Sequence, residues 1–548
     1  MTEPRQTWPA EFAARYRAKG YWRGETFPRL LRERAAAHPE RIAIIGGETR
    51  WSYRELNDRA RRFGAGLLAL GLRPGERVLI QMGNVPSFFE AVFGAFAAGL
   101  VPVYALPAHR RTELMHLAGK AEARAILVQD RIERFDHAGM VLGLRAALPG
   151  LAHVIVAGDA PEGALAMAQV SGDPATLPAD PDPQAVAFCQ ISGGSTGLPK
   201  LIPRTHDDYL YSIRGSNEIC GIDETSVYMA ALPVAHNFTM SSPGCFGALH
   251  AGARVVLCPA AMPQIAFPLI RKEGVTITGL VPPLALLWLE AAERARPELP
   301  SLKVLQVGGA KFLPESAKRV APLLGCRLQQ VFGMAEGLVN YTALDDPEAL
   351  VTETQGRPIS PDDELLILDD AGQPVPEGRP GNLLTRGPYT IRAYHDDDSA
   401  NARSFTEDGF YRTGDIVLRL PSGHLVVQGR ANDQINRNGE KISAEEVEDL
   451  LLGHGSVFDA VVVSIPDARL GERACAFIQP RAGTDPSPAE LRRYMRGREV
   501  AAFKIPDEIR IVSGFATTAV GKISRRQLRE SLRAGVLAES NQTEETAK

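Results

Sequence analysis

The stretch Val78-Leu79-Ile80-Gln81-Met82-Gly83-Asn84-Val85-Pro86-Ser87-Phe88-Phe89-Glu90-Ala91-Val92-Phe93-Gly94-Ala95-Phe96-Ala97-Ala98-Gly99-Leu100-Val101-Pro102-Val103-Tyr104 decides the fold. Val78 to Met82 is an apolar run of strand length. Ser87 to Ala98 is apolar nearly all round and long enough for several turns, the pattern of a buried helix. Val101 to Tyr104 is a second short strand. Phe88 to Ala108 is also apolar over about the length of a membrane span. Glu90, Pro102 and Pro107 interrupt it, and strand, helix, strand is the reading that fits.

The same alternation continues on both sides. Thr26 to His38 has amphipathic helical spacing, and Arg41 to Ile45 and Thr49 to Ser52 read as strands around the Gly46-Gly47 turn. Tyr53 to Leu70 puts Leu56, Ala60, Phe63, Gly64 and Leu67 on one helical face and stops at Gly71. Further strands are expected at Ala125 to Val128, Val154 to Val156, Ala185 to Ile191, Arg254 to Leu257, Thr276 to Val281 and Val304 to Val307. Short apolar strands alternating with amphipathic helices imply right-handed βαβ units and mostly parallel sheets. Ala160 to Pro183, rich in Ala, Gly, Pro and Asp, reads as a surface connection.

From Glu364 the pattern changes to short strands with turns: Leu365 to Leu368, Asn382 to Thr385 and His424 to Val427. After Gly429-Arg430 a smaller unit follows. Helices are expected at Ala444 to Leu452 and Pro488 to Met495, with strands at Ala460 to Ile465 and Ala474 to Gln479. The expected fold is α/β. Residues 1–430 form a large N-terminal domain of βαβ-type sheets plus a β-rich subdomain. Residues 431–433 form a hinge, and residues 434–548 a small mobile α+β C-terminal domain.

Composition bounds the function. The 548 residues carry a net charge of -4, with 45% hydrophobic and 23% charged residues, which gives no general attraction to nucleic acid or acidic membrane. The six cysteines, at 189, 220, 245, 258, 326 and 475, form no CxxC pair, which speaks against a zinc knuckle or dithiol motif. Met1 to Arg17 lacks the apolar core of a secretory signal, so reduced thiols and a cytoplasmic location are expected.

The sharpest local signal is Ser192-Gly193-Gly194-Ser195-Thr196-Gly197-Leu198-Pro199-Lys200, which follows the strand at Ala185 to Ile191. Its glycines let the backbone aim N–H groups at phosphate oxygens. Ser192, Ser195 and Thr196 add hydroxyls, and Lys200 adds charge. It is not a Walker A loop, because Lys200 follows Pro199 and no Gly-Lys-Ser/Thr occurs. By itself such a loop is as readily a plain turn.

Four more motifs accompany it in order. They are Gln330-Val331-Phe332-Gly333-Met334-Ala335-Glu336, Tyr411-Arg412-Thr413-Gly414-Asp415, Gly429-Arg430 through Gly439-Glu440-Lys441-Ile442, and Gly521-Lys522-Ile523. Over about Phe27 to Ser531 the chain resembles the adenylate-forming superfamily of acyl-CoA synthetases, peptide-synthetase adenylation domains and luciferases. The resemblance implies ATP and Mg²⁺ as cofactors. Ser192, Gly193, Gly194, Ser195, Thr196, Gly197 and Lys200 would form the phosphate loop. Gly309, Val331, Phe332 and Ala335 would surround adenine. Glu336 would hold Mg²⁺, which prefers a carboxylate with phosphate oxygens and water. Asp415 would hold the ribose with Arg430 beside it, a structural Asp415–Arg430 ion pair being the plain alternative. Lys522 would bridge the substrate carboxylate and the α-phosphate, and the Lys441 face would serve thiol transfer after rotation about Asn432.

Leu232-Pro233-Val234-Ala235-His236-Asn237-Phe238-Thr239-Met240-Ser241-Ser242-Pro243-Gly244 resembles the aryl-acid branch of that superfamily, which starts catechol and phenolate siderophores. Amino-acid-activating relatives place an Asp where Asn237 stands. A neutral amide can bond a carboxylate or phenol without requiring a cation. The branch implies Asn237, Phe238, Ser242, Gly309, Val339 and Lys522 as substrate contacts, with His236 guiding the carboxylate or simply packed. Ser242 and Val339 match the 2,3-dihydroxybenzoate type, where salicylate enzymes carry Cys and Leu. Ser242 capping a backbone turn before Pro243 is the plain alternative. The expected activity is therefore adenylation of 2,3-dihydroxybenzoate with release of pyrophosphate, then transfer to the phosphopantetheine thiol of an aryl carrier protein. The chain runs 26 residues past Lys522, so the carrier is expected as a separate polypeptide. The alternatives are a salicylate-AMP ligase, an aryl-CoA ligase, and a non-catalytic nucleotide-binding scaffold on the same fold.

Overall fold

The computed structural model describes residues 8–192, 199–433, 435–437, 440–467, 470–498, 502–516, 523–525 and 527–532. The opening stretch folds as strand Arg77–Gln81, helix Pro86–Ala97 and strand Val101–Ala105, with the two strands parallel and adjacent. Among the described residues no helix is long and apolar enough to cross a membrane. Helix Pro86–Ala97 is instead held against helix Tyr53–Ala69, so closely that a Cβ on Gly64 would lie 2.4 Å from the Gly94 carbonyl oxygen. Glycine at that crossing is a packing requirement.

Two large sheets result. One runs in the order Arg357–Pro358, Val339–Tyr341, Arg327–Gly333, Val304–Gly308, Ile277–Leu280, Val227–Ala230, Arg254–Leu257, Ile42–Gly46, Thr49–Ser52. Its centre is parallel and its margins antiparallel. The other contains Leu201–Thr205, Val186–Ile191, Val101–Ala105, Arg77–Gln81, Ala125–Gln129, His153–Ala157 and Leu165–Ala166. Alternation along the strands explains the layers. Ile44, Val78 and Ile80 join a core shared by both sheets and the helices between them. Ile45 and Leu79 instead face separate cores on the outer sides.

Strands Glu364–Leu368, Gly381–Arg386, Tyr411–Arg419 and Leu425–Arg430 form an antiparallel four-stranded sheet, matching the change of style read from the sequence. Beyond it, strands Val457–Asp467 and Gly471–Pro480 pair with each other and carry helices Ala444–Leu452 and Pro488–Gly497 over a core of their own. The two parts touch. Ser443 Oγ donates to the Gln428 carbonyl at 2.9 Å, and Arg481 lies 3.4 Å from Glu293.

Candidate active site

The phosphate-loop flanks come from an antiparallel hairpin that periodicity did not indicate. Strand Val186–Ile191 pairs with Leu201–Thr205, with Ile191 opposite Leu201. The loop is closed at its base by two bonds, Ser192 N–H to the Lys200 carbonyl and Lys200 N–H to Ser192 Oγ, both 3.0 Å. His116 Nε2 lies 2.9 Å from the Pro199 carbonyl oxygen. Gly193, Gly194, Ser195, Thr196, Gly197, Gly521 and Lys522 lie outside the described residues. For Asn432, in the turn 431–433, and Lys441, in strand Glu440–Ile442, only the backbone is described.

Glu336 sits in the hairpin between strands Arg327–Gly333 and Val339–Tyr341 and is 8% exposed. Three neighbours hold that hairpin. Arg204 Nη1 donates to the Ala335 carbonyl at 2.8 Å, Ile391 N–H to the Glu336 carbonyl at 2.7 Å, and Tyr394 OH to Glu336 Oε1 at 2.8 Å. Burial first, and then the Glu336 carboxylate, push the Tyr394 phenol well up, so it remains a donor. Lys200 Nζ lies 4.6 Å from the centre of the Tyr394 ring, a cation–π contact, and Tyr411 OH is 3.1 Å from Tyr394 OH. Tyr394 thus joins the phosphate-loop lysine, the expected metal carboxylate and the ribose strand.

Asp415 and Arg430 face each other across paired strands, Arg430 Nε lying 2.7 Å from Asp415 Oδ1. The ion pair weighed as the plain alternative is therefore formed. It leaves the Asp415 carboxylate anionic and buried beside a half-exposed guanidinium. Val331 is buried in the shared core, while Phe332 is half-buried at the margin of the β-rich sheet.

The remaining expected residues gather around the C-terminal ends of the parallel strands. Phe238 lies over strands Ile277–Leu280 and Val304–Gly308, where a Cβ on Gly279 or Gly308 would meet its ring at 3.1 Å. Gly309, with φ +84°, follows at the rim. Val339 pairs with Gly333, and its backbone N–H donates to the Tyr389 phenol at 3.3 Å. His236 caps helix Asn237–Ser241, its Nδ1 accepting from Phe238 N–H at 3.3 Å. Ser242 is buried as the residue closing that helix, within hydrogen-bonding range of Tyr341. Its backbone N–H donates to the Phe238 carbonyl at 3.2 Å, and among the described residues its hydroxyl caps no backbone turn. Asn237 is half-buried, and its Oδ1 accepts from the Tyr209 phenol at 2.8 Å.

Sequence reading missed Tyr209, Tyr394 and Arg204. Each stands outside the motif cores, and each acts by touching a motif residue from behind, which no local pattern signals.

A turn-borne carboxylate, a loop lysine and an Asp–Arg pair, with aromatic side chains beside them, are the parts expected of a nucleotide-dependent acid-activating site. The chain belongs to the AMP-binding enzyme family, which matches residues 31–395, with the C-terminal domain of that family matching residues 446–522. It is 54% identical to the 2,3-dihydroxybenzoate-AMP ligase of Bacillus subtilis, over 97% of this chain and 98% of that protein. It is 45% identical to the vibriobactin-specific 2,3-dihydroxybenzoate-AMP ligase of Vibrio cholerae, over 96% and 98%. Among solved structures it is similar to apo MbtA of Mycobacterium smegmatis, with 45% identity, a TM-score of 0.74, and coverage of 95% and 98%.

Proposed function

We propose that this enzyme activates 2,3-dihydroxybenzoate with ATP and then delivers the aryl group to the phosphopantetheine thiol of a separate aryl carrier protein in siderophore assembly. In the first half-reaction a substrate carboxylate oxygen attacks the α-phosphorus, the bond to the β-phosphate oxygen breaks, and pyrophosphate leaves. In the second, the thiol sulfur attacks the acyl carbon and AMP departs with the bonding electrons. The carrying observation is Asn237, a neutral amide where amino-acid-activating relatives place an Asp, beside Phe238, whose ring lies over strands Ile277–Leu280 and Val304–Gly308, in a chain 54% identical to a 2,3-dihydroxybenzoate-AMP ligase.

Like charges oppose the first step, so oriented donors and cations must gather at the meeting point. Lys200 and the loop Ser192 to Lys200 would take the β- and γ-phosphates, and Asp415 the ribose hydroxyls. Gly309, Phe332, Ala335 and the backbone of Val331 would border the adenine. Glu336 fits Mg²⁺. It is an anionic oxygen donor with Oε1 engaged by Tyr394, leaving Oε2 for a hard cation. When bound, that ion neutralises phosphate charge. His236, with Nδ1 accepting from the Phe238 N–H, would guide the substrate carboxylate. Lys522 would bridge the two reacting anions. Rotation of residues 434–548 on residues 1–430 about Asn432, in the hinge 431–433, would then bring the Lys441 face to the site for thiol transfer. A cytoplasmic setting suits the six buried free cysteines.

ATP–pyrophosphate exchange tests the reading, run side by side with 2,3-dihydroxybenzoate, salicylate and benzoate. Fastest exchange with 2,3-dihydroxybenzoate is expected, with measurable salicylate turnover. A salicylate rate well above the others refutes the substrate, and no exchange with any benzoate refutes the activity. Preformed adenylate offered to CoA and to holo-carrier separates the acceptors, and efficient transfer only to CoA refutes the carrier.

A further inference from the structure

Tyr209 lies on helix His206–Cys220 and is fully buried. Its ring is fixed from two directions. Phe188 meets it edge-on at 4.7 Å between centroids, and the Arg204 guanidinium carbon lies 4.7 Å from its centre. Arg204 is itself locked by Asp208 at 2.7 Å and by its bonds to the Ala335 and Tyr389 carbonyls. The phenol oxygen therefore has little freedom of position.

Its hydrogen-bond polarity is equally constrained. Burial pushes the phenol up to about 12, against the lowering influence of Arg204, Ser241 and Gln190, so the oxygen keeps its proton. A phenol carries one proton. That proton goes to Asn237 Oδ1, at 2.8 Å. A carboxamide presents its oxygen and its NH₂ on opposite sides. Asn237 Nδ2 donates to no group among the described residues, and the residue is only half-buried, so its outer side is open.

We propose that Tyr209 is a positioning residue for substrate choice: by taking Asn237 Oδ1 it holds the Asn237 NH₂ toward the aryl pocket as a fixed donor to a phenol oxygen on the substrate ring. This rests on the aryl-acid reading given above. Without the Tyr209 proton the amide can reverse and present an oxygen, which cannot donate to a 2-hydroxyl whose own proton is held by the neighbouring carboxylate of the substrate. The result is a buried pocket that discriminates hydroxylated from plain benzoates through one oriented amide.

The test is Tyr209→Phe, which keeps the ring and removes the hydroxyl. The readout is kcat/KM in pyrophosphate exchange for 2,3-dihydroxybenzoate, salicylate and benzoate. The ratio of either hydroxylated acid to benzoate is expected to fall about tenfold, mainly through KM, the scale of one lost buried hydrogen bond. Adding Tyr209→Phe to Asn237→Ala is expected to change that ratio no further. Equal losses on all three acids would make Tyr209 merely structural and overturn the inference, as would an unchanged ratio. If Tyr209→Phe does not fold, Asn237→Asp keeps the acceptor for Tyr209 and replaces the pocket NH₂ by oxygen. The ratio is then expected to fall in the same way, and a retained ratio overturns the proposal. A parent enzyme with no preference for hydroxylated benzoates defeats the aryl-acid reading and this inference together. A preferring parent matched by an equally preferring Tyr209→Phe defeats the inference alone.

Discussion

Asp363→Asn should flatten part of the pH dependence of stability. The Asp363 carboxyl accepts from Tyr389 OH at 2.6 Å and Ser360 N–H at 3.3 Å, and its Oδ1 is enclosed without a partner among the described residues. Burial dominates over the Tyr389 bond and pushes its pKa up to about 8. In the unfolded chain the group titrates near its ordinary value of about 3.9. Between those values the native state holds a proton that the unfolded state has lost. Stability therefore falls as pH rises, by about 1.4 kcal/mol per unit, and levels off above the native pKa. From pH 5 to pH 8 that is about 4 kcal/mol. With an unfolding entropy of about 2.1 cal/mol/K per residue over a cooperative unit of roughly 400 residues, it corresponds to about 4–5 °C in Tm. The amide is neutral in both states, so the variant lacks this contribution while sharing all others. Parent and variant are compared by calorimetry at one scan rate from pH 5 to pH 9. The parent Tm minus the variant Tm should drop by about 4 °C between pH 5 and pH 8 and stay constant above that. A difference constant within about 1 °C throughout would mean that Asp363 is ionised in the native protein, and the burial argument would fail.

Ser242→Cys combined with Val339→Leu should move preference from 2,3-dihydroxybenzoate toward salicylate. Val339 already packs against Gly333 on the facing strand, so an added methylene must enter the pocket. Overpacking plus a lost hydroxyl implies a tenfold to hundredfold drop, on the order of 1–3 kcal/mol, in the kcat/KM ratio measured by exchange. Tyr394→Phe removes the donor to Glu336 Oε1 but keeps the ring under Lys200, so the Mg²⁺ concentration for half-maximal exchange should rise roughly tenfold. An unchanged Mg²⁺ requirement would deny the phenol a role in holding Glu336. Lys522→Ala should abolish most adenylate formation, read as hydroxamate trapped from aryl adenylate. Accumulation at the parental rate would remove Lys522 from the chemistry.

The sequence reading reached far into the fold because apolar period and turn residues are local signals. Helix Tyr53–Ala69 begins at a Ser52–Glu55 capping box and ends before Gly71, within a residue of the span read from spacing. Strand Arg254–Leu257 and helix Ala444–Leu452 fall where their patterns put them. Strand Leu201–Thr205 was not legible. Its sequence Leu-Ile-Pro-Arg-Thr contains a proline and a buried arginine, and only the non-local pairing with Val186–Ile191 makes it a strand. The site divides in the same way. Glu336, Asp415 and Asn237 were legible as candidates because they belong to motifs with a spacing. Tyr209, Arg204 and Tyr394 were missed because their partners lie 28, 131 and 58 residues away in sequence. A tyrosine holding a motif residue from behind reads in the sequence as one more core aromatic.

The charge balance of the described site bears on the role proposed for Lys522, near the end of the chain. Glu336 and Asp415 are formally acidic, and Lys200 and Arg430 formally basic, so the formal charges of these four side chains cancel. Both cations are already engaged, Arg430 by Asp415 at 2.7 Å and Lys200 on the face of Tyr394 at 4.6 Å. Such a site can dock a nucleotide without strong charge imbalance, but it offers little to a second anion approaching the α-phosphate. Two unit charges 4 Å apart repel by about 4 kcal/mol at the effective dielectric of a partly buried site. A cation delivered only when both substrates are present removes that barrier at the transition state, and the resting pocket does not have to keep an unpaired charge buried. If Lys522 plays the bridging role proposed for it, a position on the small C-terminal domain would supply this timing, the charge arriving as that domain docks. On the proposed reading, Asn237 and Ser242 would then have only to select the aryl ring, which neutral donors and acceptors can do.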